Sequence, residues 1–98
     1  MYYGIYAQDK KDSLALRLQT RPTHVEHLQK AQENFNVKVH HAGPLLCEDN
    51  DEPIGSLLII EADDIKIAKK FADNDPYNQV GLFEKCDIRP FKWIMGCP

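Results

Sequence analysis

Apolar positions recur along this chain with two alternating periods. Met1-Tyr2-Tyr3-Gly4-Ile5-Tyr6-Ala7 is bulky, rich in tyrosine and almost free of polarity, which suits a strand covered on both faces. A polar turn from Gln8 to Ser13 follows, then a short ordered lead-in from Leu14 to Thr20. Pro22 then suits the first turn of a helix predicted from Arg21 to Phe35. At about 100° per residue, His24, Leu28, Ala31 and Phe35 share a narrow arc with Val25 on its flank, so one imidazole points where the apolar stripe points.

The second half repeats the alternation. Val37 to Leu46 reads as a strand interrupted near Gly43-Pro44, where a bulge is expected, and the acidic tract Glu48 to Pro53 as a solvated loop. Ile54 to Ala62 is the most apolar run and predicts a buried central strand. Asp63 or Asp64 caps a second helix whose Ile65, Ala68, Phe71 and Ala72 share a face, with Lys66, Lys69 and Lys70 outward. Asp75 to Phe83 ends that helix in a tight extra turn, and Lys85 to Met95 is the last strand, with Pro90 at an edge or a bulge.

This order predicts an α+β, ferredoxin-like βαββαβ domain over residues 1–98: a four-stranded antiparallel sheet with two helices on one face. Leu57-Leu58-Ile59-Ile60 is apolar in both parities, yet the plan leaves one sheet face bare. A homodimer through the helix-free face, with an α/β-barrel-like core, is the economical way to cover it.

Composition narrows the partners. A chain of 98 residues buries roughly 60 to 65% of its unfolded surface in one modest core. The apolar runs are too short for a bilayer and the first residues lack a signal-peptide pattern, so the cytoplasm is expected, with no membrane partner. A net charge of -3, with basic residues scattered, gives no footprint for nucleic acid. Cys47, Cys86 and Cys97 have no Cys-x-x-Cys spacing and read as buried or incidental thiols. His24, His27, His40 and His41 complete no ligand pattern and no glycine-rich phosphate loop is present, so neither metal nor cofactor is expected.

Arg21-Pro22-x-His24, Ala42-Gly43-Pro44-Leu45, Gly55-Ser56, Asp75-Pro76-Tyr77 with Gly81-Leu82-Phe83, and Arg89-Pro90-Phe91 stand in an order that resembles the YciI-like family over nearly the whole chain. Ala7-Gln8-Asp9-Lys10 after the first strand agrees with it. The resemblance implies a ferredoxin-like dimer with a pocket centred on a histidine and an aspartate, here His24 and Asp75. It also links the chain to a dehydrochlorinase acting on a chlorinated hydroxyhydroquinone, and in fold to muconolactone isomerases, without naming a substrate.

The residues themselves allow the same site. An inward histidine is either hydrogen-bonded for structure or paired with a carboxylate as a general acid/base, and Asp75 before Pro76 is either a helix cap or that partner. Arg17 and Arg21, on either side of the chain bend expected where the lead-in meets the helix, are solvated or converge on a small anionic molecule. Ser56 is a candidate donor to it, and Tyr6 and Tyr77 are candidate walls. The expected function is lyase or isomerase chemistry on an anionic cyclic metabolite. The alternatives are a non-catalytic ligand-binding or assembly module, and a nucleophilic histidine carrying a transient phosphoryl group.

Overall fold

In the computed structural model, which describes residues 1–98, eight elements follow one another. They are β1 (Tyr2–Asp9), α1 (Leu14–Gln29), α2 (Ala31–Phe35), β2 (Lys38–Leu46), β3 (Pro53–Glu61), α3 (Ile65–Asp73), α4 (Pro76–Gln79) and β4 (Phe83–Phe91). The strands form one antiparallel sheet in the order β2-β3-β1-β4, with the helices on one face, which is the ferredoxin-like α+β arrangement. Both strands expected to be most apolar are central.

Side-chain alternation sorts the core. Tyr3 and Ile5 of β1 and Leu58 and Ile60 of β3 point toward the helices and meet Ala31, Ala68, Phe71 and Ala72. Burial of each large side chain contributes roughly 1.5 to 3 kcal/mol. Asp64 opens α3, its carboxylate accepting from the Ile67 amide at 2.9 Å. Gly55 has no room for a side chain, because a Cβ there would run into the carbonyl oxygen of Ala7. That close approach sets Ser56 opposite Ala7.

As the ferredoxin-like plan implies, β1 and β3 are covered on one face only within one chain: Tyr6 and Leu57, a cross-strand pair on the other, are 48% and 44% exposed. Four expectations change. The residues before Pro22 are not a separate lead-in, because α1 starts at Leu14 and runs through the proline. Leucine, alanine, arginine and glutamine are good helix formers, so this segment holds its own turns up to the missing Pro22 amide. The helix also breaks at Lys30 before resuming as α2, which Asn36 closes in a left-handed conformation (φ 55°). In β2 the pairing shifts around His40 and at Leu46, while Gly43 and Pro44 stay in register; β4 ends at Phe91. Pro44 and Pro90 both lie on edge strands, where a missing amide is tolerated.

Candidate functional site

Because α1 is continuous, Arg17, Arg21, His24, Val25 and Leu28 follow helical spacing along one side, and all five line a cavity of about 320 Å³. Ser56 and Leu58 of β3 and Ala42 and Pro44 of β2 line it from the sheet, and Tyr77 of α4 from the side. Arg17 and Arg21 thus stand one turn apart on one helix, not across a bend.

His24 is 8% exposed, and its Nδ1 lies 2.8 Å from Asp75 Oδ1. The same oxygen accepts the Tyr77 amide at 2.9 Å, and Pro76 fills the first helical position of α4. Asp75 is therefore both a helix cap and the partner of His24. A carboxylate only accepts, so Nδ1 donates, and in the neutral ring Nε2 is left as the base. The imidazole stacks on Tyr77 with centroids 4.0 Å apart and planes at 18°. Burial pushes the Tyr77 phenol up in pKa, with the Arg17 guanidinium opposing, so it stays protonated at neutral pH.

Arg17 is anchored rather than free. Its Nε and Nη2 donate to the two carboxylate oxygens of Asp9 at 2.6 and 2.9 Å, Nη2 also donates to Ser56 Oγ at 2.8 Å, and the guanidinium carbon lies 4.4 Å from the Tyr77 ring centroid. Both partners of this pair are almost fully buried. Asp9 belongs to the Ala7-Gln8-Asp9-Lys10 segment, but nothing local in the sequence assigns it this partner. Its parity in β1, shared with Tyr3, Ile5 and Ala7, was the available signal. Arg21 is exposed at the cavity and enters no ion pair, so it is the free cation of the site.

The structure does not bring Tyr6 to the cavity. It lies on the helix-free face, opposite Leu57 and Asp87. The other histidines have separate duties: His27 Nε2 meets the Phe71 carbonyl at 2.9 Å and its ring stacks on Phe71, and His40 Nε2 meets Glu61 at 2.9 Å. Desolvation lowers the His27 pKa below its ordinary value. No group of three or more metal-ligating side chains is assembled. Cys47 is half-buried, whereas Cys86 and Cys97 are exposed rather than buried, and all three are free. No helix is long and apolar enough to cross a membrane.

Comparison with known proteins places relatives beside this geometry. The family model described as YCII-related domain matches residues 1–92. The chain is 39% identical to protein YciI of Escherichia coli O6:H1 over 99 aligned residues, covering 96% of this chain and 99% of that one. It is 35% identical to an uncharacterized protein of Haemophilus influenzae over the same shares. Among solved structures, it is similar to the 5-chloro-2-hydroxyhydroquinone dehydrochlorinase of Burkholderia phenoliruptrix AC1100 in complex with 2,5-dihydroxybenzoquinone. The TM-score is 0.81, with 29% identity and 94% of each chain covered.

Proposed function

Since the chain belongs to the YCII-related domain family, we propose that it is a small enzyme performing lyase or isomerase chemistry on an anionic cyclic metabolite, with His24 as the group that moves the proton. The observation that carries this reading is the 2.8 Å contact between His24 Nδ1 and Asp75 beside a cavity of about 320 Å³. Asp75 fixes the ring and its tautomer, and Nε2 takes a proton from the substrate and returns it, either to another position or to solvent as a leaving group departs. Arg21 supplies the attraction for an anion, while Arg17 serves the site through its contacts with Ser56 and Tyr77. The similar dehydrochlorinase, solved with a dihydroxylated quinone, supports a planar oxygenated ring as the substrate class. Proton transfer needs only the His24–Asp75 pair. The uncovered apolar face of the sheet supports a homodimer, and the cytoplasm is the compartment we assign.

The test is turnover of hydroxylated quinones and hydroquinones, chlorinated ones included, followed by absorbance. His24→Ala should lower turnover by roughly 10²- to 10⁴-fold, and Asp75→Asn should shift the ionisation on which it depends. Ligand binding without turnover by the wild type would favour the non-catalytic module. A phosphoryl adduct that forms on the wild type and is lost in His24→Ala, but kept in His40→Ala, would favour the nucleophile.

A further inference from the structure

Arg17 brings a formal charge to the sheet side of the cavity, but that charge is already matched. Asp9, at the end of β1, takes the guanidinium in a two-pronged grip, and the remaining direction of Nη2 is given to Ser56 on β3. Such a grip fixes the plane of the guanidinium as well as its position. Three elements are thereby pinned at one end of the sheet: β1 through Asp9, α1 through Arg17 and β3 through Ser56.

The direction of the last bond decides what Ser56 can do. A guanidinium has hydrogens and no acceptor, so at this contact the serine oxygen accepts. Its own hydrogen is left over, and no hydrogen bond from Ser56 Oγ to a protein acceptor accompanies the one it receives. Ser56 is 2% exposed and lines the cavity, so the direction left to that hydrogen is the cavity itself. A hydroxyl already accepting from a cation is polarised and becomes the stronger donor. Because Asp9 cancels the charge of Arg17, the sheet side offers a directed hydrogen bond rather than a bare cation.

The geometry points to Asp9 as a positioning residue that acts through Arg17, and to the Ser56 hydroxyl as the oriented donor of the cavity, selecting ligands that set an acceptor oxygen, a carbonyl or an oxyanion, against β3. Placing the acidic hydrogen of that ligand toward His24 rests on the proton-transfer reading given above; the donor itself does not. Sequence-distant residues thus divide the work. Arg21 attracts charge at the mouth, and Ser56 reads where an oxygen lies.

A chromophore pair tests this independently of catalysis. 4-Nitrophenolate carries an oxyanion, and 4-nitroaniline keeps the ring but puts hydrogens in its place. Ser56→Ala should weaken phenolate binding roughly tenfold, the size expected for a lost hydrogen bond to a charged oxygen, and raise the pKa of the bound phenol. Binding of 4-nitroaniline should stay within about twofold, and Ser56→Thr should restore phenolate binding. The same Ser56→Ala loss should persist in a His24→Ala background, which separates this proposal from the fate of the acid/base reading. Asp9→Asn frees the Arg17 charge, which by itself favours an anion, but loosens the aim of Ser56, so Ser56→Ala should cost much less phenolate binding in the Asp9→Asn background than in the wild type. If Asp9→Asn fails to fold, Asp9→Leu with Arg17→Met removes both buried charges together and takes its place. Equal weakening of both chromophores, additive effects of Asp9→Asn and Ser56→Ala, or no binding of 4-nitrophenolate to the wild type at millimolar concentration would overturn the assignment.

Discussion

The two faces of the sheet invert the usual sorting of residues. The helix-covered face buries Asp9, Arg17, Ser56, His24 and Asp75, while the bare face displays Tyr6, Leu57 and Phe91 to solvent. Ionisable groups are buried on one side and large apolar groups are exposed on the other. Neither half of this makes sense for stability alone: a buried ion pair gains little over apolar packing, and a bare apolar patch invites association. On the function proposed above, the covered face would serve chemistry and the bare face would take a second copy of the chain. Because the two sets fall on opposite sides, buried helix-side residues and exposed bare-face residues alternate along the same strands, as Ala7 and Tyr6 do on β1 and Ser56 and Leu57 do on β3.

The sharpest way to break this contrast is to remove one charge from the covered side. Asp9→Ala leaves Arg17 buried without its partner and should cost about 3 to 5 kcal/mol in chemical denaturation. Leu57→Ala on the bare face should cost no more than about 1 kcal/mol within a single chain. Similar losses at both positions would mean that the Asp9–Arg17 pair is not the buried unit described above. On the bare face the expected effect is on mass rather than folding. Wild type should sediment as two chains at micromolar concentration, and Leu57→Lys as one, because a lysine facing its own copy must be desolvated or repelled. A wild type that sediments as one chain would end the case for a second copy there.

Pro22 marks how far the sequence could be read. The order of strands and helices, the inward face of His24 and the capping place of Asp75 were all legible, since each follows from local period or local chemistry. The start of α1 was not. A proline reads locally as a beginning, but the ties of Arg17 to Asp9 and Ser56 hold the preceding turns in line with the following ones. Asp9 itself went unassigned for the same reason, since its partner lies on a different element. Tyr6 was read by composition instead of parity. Pro22→Ala should therefore restore an interior helical hydrogen bond and raise stability by about 1 to 3 kcal/mol, whereas at a helix start the change would be close to neutral.

Acid should reach the two sides at different pH, and with the smallest effects of all. His27, in the helix layer against Phe71, has its pKa lowered from 6.5, chiefly by desolvation. Its neutral form is favoured by folding, so the native state binds fewer protons than the unfolded chain just below 6.5. Stability from this group is complete above 6.5 and declines as the pH falls through that value toward the lower folded pKa. Glu61, beside the bare face, has its pKa lowered from 4.5, chiefly by the hydrogen bond from His40. That contribution is intact above 4.5 and is lost only as the pH falls through the depressed folded value. Melting temperatures measured from pH 8 to pH 3 should accordingly show two separate declines. His27→Gln should remove the upper one and leave the lower, and Glu61→Gln should do the reverse. If His27→Gln leaves the slope near pH 6 unchanged, the helix layer holds no histidine whose burial opposes its charge, and acid sensitivity would have to be sought on the bare face instead.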